Sequence, residues 1–366
     1  MHRNFALAIL SAGLGLCASA LAEEEPPSLE SLHIDPDRIS VMGVSSGGYM
    51  ATQLAVAYPE VFSGLGVFAA GPWGCSQGEL SRALRQCMAI GRGLPSLAEL
   101  DARLEDYRRR DLLGEANALA KQRVYLWQGE DDEVVQPQLG AALARQYSRW
   151  LTDSDSQLKL ELAEGANHGW PVARERIDDP ALLVNCRAKG APYLLDCGSD
   201  GAGRALGWLY GDLAAPSEER QGNLREFDQE PFDDGLAERG YLYVPESCAQ
   251  GKECGLVMAL HGCRMSSEQI GEQFVRNSGL DAWADTNRLV VIYPQATPSL
   301  PNPLGCWDWW GYEESMWQPS PLHDSRDGEQ LGALMRMIRQ LAGLSGNVSA
   351  DNVSADHASD AEGSAQ

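Results

Sequence analysis

The chain has 366 residues, 44% of them hydrophobic, enough for one large buried core or two modest ones. Its 52 acidic residues outnumber 29 basic ones, for a formal net charge of -23 at pH 7. Such a surface argues against nucleic acid and anionic membranes as partners, and says little about a neutral substrate.

The first residues predict processing rather than structure. Met1-His2-Arg3 is basic, residues 5–16 are apolar, and Ala20-Leu21-Ala22 is a small-x-small site before Glu23-Glu24-Glu25. This pattern predicts a secretory signal peptide over residues 1–22, too short for a transmembrane helix. A lipid anchor on Cys17 is the rival reading, and Leu16 fits a lipid-attachment site poorly. No later segment offers the roughly 18 uninterrupted apolar residues of a membrane span. The expected location is therefore extracellular or periplasmic.

An apolar run at residues 38–42 leads into Gly43-Val44-Ser45-Ser46-Gly47, and a helix-like stretch follows at 48–55. Strand, sharp turn and helix are the context that makes a G-x-S-x-G match a candidate nucleophile elbow, with Ser45 as nucleophile. The motif comes early. An α/β-hydrolase normally builds several strands before its elbow, and almost nothing precedes this one.

Two further pieces of chemistry follow in order. A short apolar run at 124–127 ends at Gly129-Glu130-Asp131-Asp132-Glu133-Val134-Val135. A carboxylate on a turn after a strand can be held against a histidine. Asp132 fits the G-x-x-D-x-x-V spacing, with Asp131 and Glu133 as rivals and an acidic surface turn as the plain alternative. An alternating run at 158–162 then leads to Gly165-Ala166-Asn167-His168-Gly169. His168 is the best-placed base, because His33 lies at the wrong end of the elbow strand and His357 in a polar tail. His323 lacks a preceding strand, and His261 is the remaining candidate. Serine, aspartate, histidine is the α/β-hydrolase order. The N–H of Ser46, next after the nucleophile, is one expected oxyanion donor.

The second half supplies what the first lacks. A buried-looking strand at 255–260 runs into His261-Gly262-Cys263, a turn similar to the oxyanion loop of esterases. Another strand follows at 288–294. Helix 327–342 carries Leu331, Leu334, Met335, Ile338 and Leu341 on one face. Joined end to start, that helix leads into the elbow strand and restores the ordinary hydrolase order. The fold class expected is a circularly permuted α/β-hydrolase with a mostly parallel central sheet flanked by helices. Its single domain would span 23–344, before a disordered polar tail at 345–366. Two domains, 23–220 and 221–345, with a linker within 215–235, are the alternative.

Eight cysteines remain once Cys17 is set aside, an even count that suggests a disulfide framework in an exported chain. Sequence neighbours suggest Cys75–Cys87, Cys186–Cys197, Cys248–Cys254 and Cys263–Cys306. The absence of C-x-x-C pairs and histidine clusters argues against a metal site.

These motifs together resemble the circularly permuted, single-domain extracellular poly(3-hydroxybutyrate) depolymerases. The matching residues are Val44-Ser45-Ser46-Gly47-Gly48, Gly129 to Asp132, Ala166-Asn167-His168, Glu226-Phe227-Asp228-Gln229, Leu260-His261-Gly262-Cys263 and Cys306-Trp307-Asp308-Trp309. The resemblance covers about residues 30–344. It implies a secreted serine esterase, without cofactor, acting on an insoluble polyester surface and its oligomers. It implies Ser45, Asp132 and His168 as triad, and the Ser46 and Cys263 N–H groups as oxyanion hole. A disulfide at Cys263 would then hold its amide rigidly. It also places a substrate contact at Trp307, and Trp309 and Trp310 could add aromatic faces. Trp73 and Trp317 are weaker candidates. Burial in the core is the competing reading for these tryptophans. Two other functions share the sequence features: an acetylxylan or feruloyl esterase of the same fold, and a non-catalytic surface-binding protein on a decayed hydrolase fold.

Overall fold

The apolar runs at 38–42, 124–127 and 255–260 become strands buried on both faces, while the alternating run at 158–162 becomes a partly exposed one. A computed structural model describes residues 27–344 apart from 178, 233–234 and 315–319. The expected signal peptide, the 345–366 tail, Cys17, His357 and Trp317 lie outside the described residues. Eight strands form the main sheet: β1 (Ile34–Val44), β2 (Gly64–Phe68), β3 (Arg123–Gly129), β4 (Leu158–Ala163), β5 (Asn223–Asp228), β6 (Arg239–Val244), β7 (Cys254–Leu260) and β8 (Leu289–Tyr293). Their spatial order is β4-β3-β2-β1-β7-β8-β6-β5. The first six in that order run parallel, and β6 alone is reversed, antiparallel to both of its neighbours β8 and β5.

Alternation of side chains divides the core into two layers. Val41, Leu65, Val67, Val124, Leu126, Leu256 and Met258 face one cluster. There they meet helices α1 (Ser46–Ala57), α2 (Leu97–Arg109), α3 (Pro137–Tyr147) and, later in the chain, α6 (Glu329–Ala342). Met42, Val44, Tyr125, Trp127, Val257 and Ala259 face the other. That side is covered by α4 (Gly201–Tyr210) and α5 (Leu280–Asn287). Helices on both faces explain why the central strands are nearly continuous apolar runs. No helix among the described residues is long and apolar enough to cross a membrane.

Residues on both sides of segment 215–235 contribute to this one sheet, and the segment itself supplies β5. The Leu32 N–H donates to the Leu341 carbonyl at 2.8 Å, and Gln340 Nε2 donates to the Leu29 carbonyl at 2.6 Å. The end of α6 therefore lies against the approach to β1. Four disulfides are present, Cys75–Cys87, Cys186–Cys197, Cys248–Cys254 and Cys263–Cys306, the third of them reaching the first residue of β7. They are the neighbour pairs that the sequence suggests.

Candidate active site

The register brings the strand ends together. Val44 pairs with Phe68, Phe68 with Trp127, and Gly43 with Leu260. The turns after β1, β2, β3 and β7 thus emerge side by side, at the carboxyl edge where open parallel sheets bind ligands. The Ser45 N–H donates to the Phe68 carbonyl at 2.9 Å, and the Ala69 N–H to the Trp127 carbonyl at 3.0 Å.

Ser45 sits between β1 and α1 with φ 57° and ψ -121°, a strained conformation for a residue with a Cβ. Close approach explains the flanking glycines. A Cβ on Gly43 would lie 2.3 Å from the Gly47 carbonyl oxygen. One on Gly47 would lie 2.3 Å from that of Leu260. No side chain fits either place, so the elbow packs directly on the His261-Gly262 turn. A Cβ on Gly262 would in turn lie 3.2 Å from Ser45 Cβ, so the Cys263 loop abuts the serine.

Asp132 and His168 meet two strands away. His168 Nδ1 lies 2.8 Å from Asp132 Oδ2, with both residues 4% exposed. Asp132 Oδ1 accepts the Val134 and Val135 N–H groups, each at 2.8 Å, and Oδ2 also accepts Gln128 Nε2 at 2.9 Å. This Asx-turn aims the carboxylate inward. Asp131 and Glu133 are exposed, and Glu133 pairs with Lys189 instead.

Two positioning side chains have no obvious signature in sequence. Asn167 Oδ1 accepts the His168 N–H at 2.8 Å and the Glu133 N–H at 3.2 Å, stitching the two loops together. Its own N–H donates to Cys186, so the Cys186–Cys197 loop braces the histidine. Gln128 is buried at the end of the apolar strand β3. A lone amide at a strand end is the only hint that it serves Asp132.

The tryptophans occupy a different environment from the exposed faces envisaged for substrate contact. Trp307, Trp309 and Trp310 are 0%, 5% and 9% exposed. Trp307 Nε1 donates to the His261 carbonyl at 2.9 Å. Trp309 stacks on Tyr49 of α1 with centroids 4.2 Å apart, and Trp310 packs on Tyr312. Trp73 is buried as well. Large aromatic area combined with a single N–H favours such half-polar core positions. Asp308 shapes the same loop by accepting the Tyr312 N–H at 2.6 Å, and burial pushes its carboxyl up to about 7.

Known proteins resemble this chain over most of its length. Residues 28–185 match the Prolyl oligopeptidase family. A polyhydroxybutyrate depolymerase of Talaromyces funiculosus is 35% identical over 342 residues, spanning 89% of this chain and 96% of that protein. A poly(3-hydroxybutyrate) depolymerase of Delftia acidovorans is 36% identical over 334 residues, 89% of this chain and 64% of that protein. Among solved structures, a PHB depolymerase complexed with R3HB trimer is 34% identical with a TM-score of 0.78. That match covers 86% of this chain and 99% of the other.

Proposed function

The chain belongs to the polyhydroxybutyrate depolymerase family, and on that premise we propose that it is a secreted serine esterase cutting poly(3-hydroxybutyrate) into monomers and short oligomers. Ser45, His168 and Asp132 are its triad. The observation that carries this reading is the buried Asp132–His168 pair at the same carboxyl edge of the sheet as a serine in an elbow conformation. An Asx-turn, an amide and a histidine all engage the same carboxylate, an arrangement a surface turn would not need.

The chemistry follows from the contacts. Asp132 accepts the Nδ1 proton of His168, which leaves Nε2 to take a proton from Ser45. The Ser45 oxygen bonds to the ester carbonyl carbon as that proton passes to His168. The oxyanion is received by the Ser46 and Cys263 N–H groups. Collapse breaks the bond to the leaving alcohol, which takes the proton from His168 and leaves an acyl-enzyme. Water then repeats the sequence, releasing the acid and restoring Ser45.

Four disulfides support export to an oxidising compartment. The strand order supports a circular permutation. Starting at β5 and passing from α6 into β1, the chain would run strand, oxyanion loop, strand, helix, elbow, aspartate, histidine. Turbidity of a poly(3-hydroxybutyrate) emulsion tests the substrate assignment, alongside acetate and ferulate release from xylan. The expected result is clearing of the emulsion with little release from xylan. An unchanged emulsion with brisk xylan deesterification would overturn it.

A further inference from the structure

Left-handed backbone marks more than the nucleophile. Among the described residues seven that are not glycine have a left-handed φ, and three of them, Ser45, Ala69 and Arg264, lie on the turns after β1, β2 and β7. Tyr193, with φ 59°, is a fourth beside the same site. Its ring stands edge-on to the His168 imidazole, with centroids 6.1 Å apart and planes at 83°. A bulky side chain is an uncommon occupant of that backbone region, and it persists there only where its surroundings over-determine it.

The surroundings do so here. Tyr193 lies in the loop closed by Cys186–Cys197. Its N–H donates to the Gly190 carbonyl at 2.9 Å, and its carbonyl accepts the Trp170 N–H at 2.8 Å. A Cβ on Gly169 would lie 2.4 Å from that carbonyl oxygen, so the loop packs directly on the backbone next to His168. Asn167 adds two bonds to the same loop, its N–H to the Cys186 carbonyl at 2.8 Å and its Nδ2 to the Arg187 carbonyl at 3.3 Å. Leu194 and Leu195, which follow, are fully buried, whereas Tyr193 stays half-buried. The reversed backbone thus takes the ring out of the core and sets it against the imidazole.

The imidazole decides which half of a substrate this ring would meet. His168 takes the proton of Ser45 and returns it to the leaving alcohol, so the alcohol half of the scissile ester lies beside His168. The carbonyl oxygen turns instead toward the oxyanion donors. In a poly(3-hydroxybutyrate) chain the alcohol half is the next hydroxyacyl unit, which has a methyl and a methylene to lay against an aromatic face. A methyl ester has no such groups to place there.

We propose that the Tyr193 ring is a wall of the cleft on the leaving-alcohol side, selecting a 3-hydroxyacyl alcohol over a small alkyl one. The proposal rests on the triad of the proposed function and gives Tyr193 no part in proton transfer.

Two soluble esters share an acyl group and differ in the alcohol: methyl butanoate and methyl 3-(butanoyloxy)butanoate. Release of butanoate from each is followed by chromatography. Tyr193→Gly removes the ring and suits the left-handed backbone, while Tyr193→Phe keeps the ring. The expected result in Tyr193→Gly is a fall in kcat/KM of about tenfold on the longer ester, the worth of one methyl and one methylene, against a change within about threefold on methyl butanoate. Tyr193→Phe should stay within about threefold of the parent on both esters. Tyr193→Ala gives the same comparison if melting shows that the glycine variant does not fold. Equal losses on the two esters would overturn the proposal, because the ring would then serve only to support His168. An unchanged preference in Tyr193→Gly, or a Tyr193→Phe as impaired as Tyr193→Gly, would overturn it too. Ser45→Ala is the control for the underlying reading. Full activity in that variant would sink the triad itself. An inactive Ser45→Ala with unchanged preference in the Tyr193 variants would sink only the role of Tyr193.

Discussion

Ser45 holds a backbone conformation that costs on the order of 1–3 kcal/mol, and such strain persists only where the surroundings over-determine it. Here the bond to Phe68 and the glycine contacts at 43 and 47 do so. The result is a hydroxyl-bearing residue wedged between a strand end and the Gly262 turn. Asp132 is fixed as firmly, by four hydrogen bonds from Val134, Val135, Gln128 and His168. Asp132→Asn should therefore lower kcat on a soluble ester by about 10⁴-fold, because the amide can favour the wrong imidazole tautomer. The exposed Asp131 serves as comparison, and an equal loss in Asp131→Asn would show that the wrong carboxylate has been assigned. The candidate residues are legible in sequence because each ends an apolar run at a turn. Which of three adjacent acids turns inward is not legible from burial pattern alone, since that depends on the Asx-turn. Gln128 is invisible for a similar reason: its partner is the Asp132 carboxylate, which only the turn brings back to it.

Elements are legible to the extent that they are apolar and periodic. The strand and helix expected around residues 38–55 appear as β1 and α1, and helix 327–342 as α6, all with small shifts of boundary. The Trp307–Trp310 loop is harder, because tryptophan serves cores and binding faces alike. Its side chains pack on α1 and on the His261 turn, contacts set by the Cys263–Cys306 bridge across 43 residues. The packing of α5 on β8 hides another feature. Asp281 is buried there, and its Oδ1 accepts the Tyr293 hydroxyl at 2.6 Å. Burial pushes its carboxyl up to about 7 from an ordinary 3.8, against the Tyr293 bond, which favours the charged form. The folded protein thus binds a proton that the unfolded chain releases between these values. The stability contribution is complete below the unfolded value and is lost as pH rises through the folded one. Asp281→Asn keeps an acceptor for Tyr293 without the charge. It should raise the melting temperature more at about pH 8 than at about pH 5. An equal effect at both would mean that Asp281 is not neutral in the fold.

At the scale of the whole molecule, chain order and spatial order disagree in one systematic way. β1 through β4 build one half of the sheet outward from the centre, and β5 through β8 build the other. The early position of Gly43-Val44-Ser45-Ser46-Gly47 carries this information in the sequence, because an elbow strand must sit centrally and needs neighbours from somewhere. The pairing of β1 with β7 is where they come from. The permutation predicts that residue 344 joined to residue 27 by a short flexible linker, with the chain opened at the exposed Gly211–Asp212, will fold and clear a polyester emulsion. A relinked chain that stays unfolded would count against it. In the proposed function one serine, Ser45, performs the chemistry. Its most direct test is peptide mapping by mass spectrometry after treatment with a fluorophosphonate. The expected result is a single stoichiometric adduct on the peptide containing Ser45, accompanied by complete loss of ester hydrolysis. An adduct on another serine, or a fully active protein with Ser45 modified, would contradict it.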